Sequence, residues 1–229
     1  MNTNSNSYTL IYASVMVVIV AFCLAFISSS LKDKQAKNVE QDTKKQILAA
    51  LNITDVKNAN REFDKYVKSD LIINENGTVE EYDYKSKGFV SNFSKDNADN
   101  KRIHVFICEV DGQKKYVFPL YGAGLWGAIW GYISLNEDKS TVYGTNFSHA
   151  GETPGLGADI ATEHFQKQFV GKTAIEDNNV ILSVEKNGKV EDPKCQVDGI
   201  TGGTITSKGV DQMIKDCLSR YTEFLTNNK

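Results

Sequence analysis

The sequence predicts an α+β protein in which one N-terminal transmembrane helix is followed by a domain with an antiparallel sheet and flanking helices. Three observations support this prediction. An uncharged apolar run lies near the N terminus. Asn-Gly and Asp-Gly pairs separate short runs of β-forming residues. Apolar residues recur at helical spacing near the C terminus.

Residues 1–31 are predicted to be a membrane anchor. None of the 26 Lys and Arg or 29 Asp and Glu residues of the 229-residue chain lies in this segment. Residues 8–27 are almost entirely apolar, and about 20 residues of helix cross the hydrocarbon core of a membrane. A cleaved signal peptide is the alternative, but it needs a basic segment before a shorter apolar core, and residues 1–7 contain no Lys or Arg. We therefore interpret the segment as an uncleaved anchor.

The rest of the chain is predicted to comprise a helical stalk, residues 32–60, and a globular domain, residues 61–229. Residues 34–51 contain good helix formers and few breakers, and residues 52–70 are expected to be helical in part. A net charge of −3 without a basic block argues against nucleic-acid binding.

Hairpins are predicted where Asn76-Gly77, Asp111-Gly112 and Asn187-Gly188 interrupt β-forming runs. The runs beside these pairs are residues 71–84, 103–110, 115–120, 180–186 and 189–190. Further strands are predicted at residues 128–135 and 141–147, and a polar loop at residues 85–102.

Two helices are predicted in the C-terminal half, at residues 159–170 and from near Lys208 onward. The second carries an apolar stripe at helical spacing, which we expect to face the core. The stripe consists of Val210, Met213, Ile214, Cys217, Leu218, Tyr221 and Leu225.

Two partial motifs do not predict a site. Gly122, Gly124 and Gly127 fit G-x-G-x-x-G, but a dinucleotide fold needs a helix after them, and the residues that follow favour a strand. The three His and the Cys residues of the domain show no ligand spacing, so no metal site is predicted.

Residues 148–157, with the sequence SHAGETPGLG, are predicted to form a loop that can lie against a flat ligand. Its Pro fixes one φ angle, and its glycines allow backbone conformations that bring N–H groups close to a ligand. An ordinary turn before the next helix is the alternative. The residues expected to contribute are Glu152, Thr153, Gly155, Leu156 and Gly157.

Residues 198–207, with the sequence DGITGGTITS, are predicted to bind a phosphate. Consecutive N–H groups at a Gly-rich turn form an anion-binding concavity, and the N terminus of a following helix adds partial positive charge. The alternative is simple helix capping by Thr206 or Ser207.

These two segments, following one N-terminal span, resemble the FMN-binding domain of respiratory flavoproteins, and in particular the C subunit of the Na⁺-translocating NADH:quinone reductases. The family motif D-x-x-[ST]-G-A-T stands here at residues 198–204, with Gly203 where the family usually has Ala. E-T-P-G-L-G stands intact at residues 152–157, and P-x-Y-G-x-G-L-W at residues 119–126.

The resemblance implies the site. In that family a flavin transferase attaches FMN through a phosphoester to the last Thr of the motif, which is Thr204 here. Gly202 and Gly203 would let N–H groups approach the phosphate. The other residues expected near the cofactor are Asp198 in the motif, the hydroxyls of Thr201, Thr206 and Ser207, and, beside the ring, Leu125, Trp126 and residues 152–157.

The resemblance also implies the role and location. The chain is expected to relay electrons within a complex that pumps Na⁺, while other subunits use NADH and quinone. Its partners would be those subunits, the flavin transferase and membrane lipid. Lys32, Lys34 and Lys37 after the span favour a cytoplasmic domain. The family instead implies a bacterial inner-membrane protein, single-pass, with its domain on the periplasmic side, and we follow the family.

Two alternatives stay open from the sequence. The first is the G subunit of an Rnf-type ferredoxin:NAD⁺ oxidoreductase, which shares the anchor and both Gly-rich motifs. The second is an anchored extracytoplasmic module that binds a flavin without passing electrons.

Overall fold

The computed structural model describes residues 5–74, 78–83 and 102–226. It divides the chain into two compact units, Met1–Gln41 and Asp42–Lys229. Helix α1, Asn6–Ala50, includes a stretch long and apolar enough to cross a membrane. The helix predicted at residues 8–27 is therefore confirmed, and the boundaries predicted after residues 31 and 60 stay predictions.

The second unit begins with the last turns of α1 and a short helix, α2, Ala59–Tyr66. Asn58 caps α2, because its side chain accepts a hydrogen bond from the Arg61 N–H. The helical parts predicted within residues 34–51 and 52–70 are confirmed.

A six-stranded antiparallel sheet forms the centre of this unit, in the order β2-β1-β3-β4-β5-β6. The strands are β1 Val67–Asn74, β2 Val79–Tyr82, β3 Arg102–Val110, β4 Gln113–Ala123, β5 Ala128–Leu135 and β6 Val142–His149. The predicted fold class and the strands predicted at residues 103–110, 115–120, 128–135 and 141–147 are confirmed.

The turn between β3 and β4 is the predicted hairpin. Asp111 and Gly112 have φ angles of 51° and 74°, the left-handed conformation that favours Asp and Gly in two-residue turns. Strands β1 and β2 also pair as a hairpin, but the predicted turn residues Asn76-Gly77 lie outside the described residues. The predicted loop at residues 85–102 lies outside them too, except Arg102, which begins β3.

Helices cover both faces of the sheet. On one face, Ile47 and Leu48 at the end of α1, and Leu51 just after it, pack with Phe63 of α2 against Phe106 of the sheet. Helix α4, Thr204–Ser219, belongs to the other core cluster, followed by α5, Thr222–Thr226. The predicted apolar stripe of α4 and α5 is confirmed, since all seven of its residues are buried.

The single helix predicted at residues 159–170 is wrong. A 3-10 helix, Gly157–Ala161, is followed by a short helix α3, Glu163–Lys167. Thr162 separates them, because its backbone is extended and its hydroxyl accepts a hydrogen bond from the Phe165 N–H. A Thr side chain that caps a new helix competes with continuation of the preceding one.

The hairpin predicted at Asn187-Gly188 is also wrong. Strand β9, Ser183–Glu185, pairs in parallel with β10, Gln196–Asp198, while β7, Ile175–Glu176, pairs with β8, Asn179–Val180. The local turn does form, with a Gly188 φ of 73°. Its Gly188 N–H, however, donates to the Asp198 carboxylate at 2.7 Å, so the turn packs against β10 and does not lead into an antiparallel strand.

Candidate functional site

The predicted acceptor loop ends at the N terminus of α4. The helix begins at Thr204, one turn earlier than predicted, since the Ser207 N–H donates to the Gly203 carbonyl at 2.9 Å. Gly203 is the N-cap residue, and no side chain caps the helix there. Because the first-turn N–H groups of a helix have no partner within it, this turn can present its N–H groups to an anion. Thr204 itself is exposed, and the alternative of capping by Thr206 or Ser207 is wrong.

The two glycines before Thr204 permit a close approach to the predicted ligand loop. Gly202 has a φ of 75°, and a Cβ there would lie 2.6 Å from Leu156 Cδ2. A Cβ on Gly203 would lie 3.3 Å from the Gly157 nitrogen and 3.0 Å from Ile200 Cγ2. The two sequence segments singled out above therefore meet in the fold.

A buried carboxylate joins three segments beneath this meeting point. Only 5% of Glu152 is exposed. Its Oε1 accepts the Trp126 N–H at 2.8 Å, and its Oε2 accepts the Thr206 hydroxyl at 2.7 Å. Burial alone raises the pKa of Glu152, but the hydrogen bonds from Trp126 and Thr206, with His149 nearby, bring that pKa below its usual value. The carboxylate is therefore ionised at neutral pH.

Glycines make room for this carboxylate. A Cβ on Gly124 would lie 2.5 Å from Glu152 Oε1. A Cβ on Gly157 would meet Glu152 Oε2 and lie 2.5 Å from Thr206 Oγ1. A side chain at either position would displace the hydrogen-bonded oxygens, so Gly is required by the close approach.

Two further glycines bring α4 against the end of β4. A Cβ on Gly122 would lie 2.8 Å from Met213 Cβ, and one on Gly209 would meet the Ala123 carbonyl oxygen. The glycines at 122 and 124 that imitate a nucleotide fingerprint thus serve helix packing and carboxylate burial.

Four large apolar side chains on α4 and on the two segments connected to it through Glu152 and Gly202 are exposed, and we call them the apolar rim: Leu125, Trp126, Leu156 and Ile205. Leu125 and Trp126 lie in the β4–β5 turn, which the Gly124 N–H closes on the Gly127 carbonyl at 2.8 Å. Leu156 lies against Gly202, and Ile205 follows Thr204 in α4. Trp126 is 69% exposed and Ile205 57%, so the rim can offer apolar surface to a flat ring.

Comparison with known proteins decides the family. Residues 124–219 match the family model described as the FMN-binding domain. The C subunit of the Na(+)-translocating NADH-quinone reductase of Haemophilus ducreyi is 30% identical over 231 residues, which are 93% of this chain and 90% of that protein. The chain belongs to the family of Na(+)-translocating NADH-quinone reductase C subunits, also called NqrC.

Two crystal structures of family members agree with this fold. NqrC from Parabacteroides distasonis is 42% identical, with a TM-score of 0.78 over 87% of this chain and 98% of that one. NqrC from Shewanella oneidensis is 26% identical, with a TM-score of 0.67 over 84% of this chain and 100% of that one. The resemblance inferred from the motifs is confirmed.

Two of the predicted hydroxyl ligands of this chain are engaged inside the protein. Thr206 is buried and donates to Glu152, and the buried Ser207 Oγ accepts the Ile200 N–H at 2.9 Å. Thr201 and Thr204, in contrast, are exposed. The structure thus separates buried hydroxyls that hold the loop from exposed hydroxyls that a ligand can reach.

Asp198, the first residue of the family motif, holds the polypeptide around the loop. Its carboxylate accepts the Gly188 N–H, and its backbone N–H and carbonyl both bond to the Gln168 side chain, at 3.0 and 3.2 Å. Gln168 was missed by sequence reasoning, because only the fold brings it to the motif, 30 residues away along the chain.

The remaining predicted residues shape the E-T-P-G-L-G loop. The Thr153 carbonyl accepts the N–H groups of Leu156 and Ala158, each at 3.1 Å. Gly155 has a φ of 74° and donates its N–H to Asp159 Oδ1 at 3.1 Å. His149 was also missed, although it lies just before the motif, and its Nδ1 accepts the Glu152 N–H at 3.1 Å. These contacts fix the loop from within.

Proposed function

We propose that this chain carries FMN joined covalently to Thr204 and relays electrons between neighbouring subunits of a membrane NADH:quinone reductase that pumps Na⁺. The observation that carries the proposal is the position of Thr204. It is the exposed first residue of α4, beside a glycine N-cap and close to the E-T-P-G-L-G loop. The match of residues 124–219 to the FMN-binding domain supports the cofactor.

The surroundings of Thr204 suit a phosphoester. When a flavin transferase acts, the Thr204 hydroxyl loses its proton as its Oγ bonds to phosphorus, and the bond from phosphorus to its leaving group on the flavin donor breaks. The ester retains about one negative charge. The first-turn N–H groups of α4, the backbone of the exposed Gly202 and the exposed Thr201 hydroxyl would stabilise that charge, whereas the buried Gly203 donates its N–H to the Ile200 carbonyl.

The apolar rim suits the ring. Leu125, Trp126 and Leu156 would lie against the isoalloxazine, and the loop glycines Gly155 and Gly157 would permit its approach. Bound FMN supplies the redox chemistry, while the protein positions the ring and tunes its electronics. Glu152 and Thr206 contribute indirectly, because the hydrogen bond between them holds the two loops together.

The family of the chain supports a proposal for its setting. NADH oxidation and quinone reduction would occur on other subunits, with which this chain assembles. We propose a single-pass protein of the bacterial inner membrane, anchored in lipid by α1, with the domain on the periplasmic side. The candidate span in α1 and the relatives named as reductase subunits support this arrangement.

Fluorescence of covalent flavin in denaturing gels tests the acceptor. The chain is co-expressed with the flavin transferase of its host, then denatured and separated from other proteins by gel electrophoresis. We expect a fluorescent band for the wild type, no band for Thr204→Ala and an unchanged band for the matched control Thr54→Ala, an exposed threonine outside both Gly-rich loops. A band that persists in Thr204→Ala would refute the acceptor assignment.

Reduction of that flavin tests the relay. In membranes that contain the assembled complex, added NADH should bleach the flavin absorbance of this chain. A flavin that stays oxidised while NADH is consumed would instead favour an anchored flavin-binding module.

A further inference from the structure

The Glu152 carboxylate connects parts of the chain that are distant in sequence. Through Trp126 it reaches the β4–β5 turn, and through Thr206 it reaches the first turns of α4, 54 residues away along the chain. Its own backbone N–H is held by His149. One side chain therefore connects the segments that carry two of the family motifs with the helix in which the third motif ends.

The contacts use both carboxylate oxygens. Oε1 has a backbone donor and Oε2 has a hydroxyl donor, so a hydrogen bond to each oxygen stabilises the negative charge. Thr206 is 1% exposed and Glu152 5%, so water cannot take the place of the Thr206 hydroxyl at the carboxylate without rearrangement of the loop. The contact is therefore specific as well as buried.

The hydrogen bonds of Glu152 restrain segments that adjoin the acceptor Thr204 and the apolar rim. Thr206 lies two residues after Thr204 in the same helix, and Trp126 belongs to the apolar rim. The hydrogen bond from Thr206 restrains the first turn of α4. The hydrogen bond from the Trp126 N–H restrains the β4–β5 turn, which carries two side chains of the apolar rim.

We propose that Glu152 is a positioning residue, whose carboxylate sets the acceptor turn and the apolar rim in their working arrangement before any flavin is attached. Sequence reasoning expected Glu152 to contact the cofactor, whereas its two hydrogen bonds direct it into the protein. The inference deepens the proposed function, because it rests on Thr204 as the attachment site.

The test compares Thr206→Val with Thr206→Ser in the full-length chain. Val has nearly the shape of Thr but lacks the hydroxyl, and Ser keeps the hydroxyl. Glu152→Gln is the partner variant, which keeps the shape of the side chain and removes its charge. Each variant is prepared without the transferase for hydrogen exchange and with it for flavin content.

In the flavin-free chain we expect amides of residues 124–127 and 199–207 to exchange about tenfold faster in Thr206→Val and Glu152→Gln, from the loss of one charge-assisted hydrogen bond. Exchange in β3 and β4 should stay at the wild-type rate. With the transferase, early flavin incorporation should fall by about the same factor. Thr206→Ser should restore both measurements toward wild type.

Wild-type exchange and incorporation in Thr206→Val would overturn the inference, and so would faster exchange spread evenly over the domain, which indicates a general loss of stability. If Glu152→Gln does not fold, the Val and Ser pair decides alone. Thr204→Ala is carried in parallel. A covalent flavin in that variant would refute the proposed function, while the exchange measurement would still judge the positioning role.

Discussion

Gly157→Ala should disrupt the site from the inside. A Cβ at this position would meet Glu152 Oε2 and lie 2.5 Å from Thr206 Oγ1, far closer than an ordinary contact. Overpacking of this kind costs about 1–3 kcal/mol, and loss of a hydrogen bond to a charged group costs about 1.5–3 kcal/mol. These two costs do not add in full, because one rearrangement of the loop would relieve part of the overpacking and part of the strain on the hydrogen bond. We therefore expect the free energy of unfolding to fall by about 2–4 kcal/mol.

Gly151→Ala is the matched control in the same loop. A Cβ on Gly151 would meet nothing within 4 Å. We therefore expect this variant to stay within about 0.5 kcal/mol of the wild type.

Urea unfolding of the full-length chain in detergent measures the difference. Both tryptophans of the protein, Trp126 and Trp130, lie in the folded domain, so their fluorescence reports its unfolding. Gly157→Ala should lower the urea midpoint and Gly151→Ala should not. Equal midpoints for the two variants would refute the close contact around the Glu152 carboxylate.

Two further predictions concern the loop and the charge beneath it. Gly203→Ala should keep covalent flavin, and its stability should stay within about 1 kcal/mol of the wild type, because the φ of −105° suits Ala and its Cβ requires only small shifts of Ile200 and of the Gly157 backbone. Loss of the fluorescent band in that variant would contradict this expectation. The lowered pKa of Glu152 predicts stabilisation that is complete above the usual pKa of Glu and is lost as the pH falls through the lowered value in the folded state. Denaturant midpoints of the wild type should therefore fall more steeply with acidification than those of Glu152→Gln, and parallel curves would exclude the contribution.

Local sequence signals predicted much of the fold. The uncharged run of residues 8–27 lies in one helix, because its length and composition leave no competing structure. The Asp111-Gly112 turn forms as predicted, since both residues tolerate positive φ. The apolar stripe from Val210 to Leu225 is buried as its spacing required.

Elements decided by tertiary contacts were predicted less well. Asn187-Gly188 forms the expected turn, but the Asp198 carboxylate binds that turn and β10 then lies parallel to β9. Thr162 lies inside the helix that the sequence predicts, and only its capping bond to Phe165 reveals a boundary. A two-residue signal specifies a turn, whereas the pairing beyond it depends on the whole domain.

In the site too, local motifs could be predicted from the sequence, whereas tertiary contacts could not. The motifs located the two loops and placed Thr204 in one of them, and the fold brings these loops together at Leu156 and Gly202. The inward direction of Glu152 could not be read from the sequence, because its donors, Trp126 and Thr206, come from other segments. Gly124 and Gly157 leave room for the Glu152 carboxylate, but this role of the two glycines can be recognised only once the fold is known.

Mass spectrometry of the acceptor peptide tests the central claim most directly. Trypsin should release residues 195–208, which contain Thr201, Thr204, Thr206 and Ser207, from the chain made with its flavin transferase. We predict that this peptide is heavier by one FMN less one water, with fragment ions that place the added mass on Thr204. An unmodified peptide from flavin-containing protein, or added mass on any other of these hydroxyls, would contradict the account.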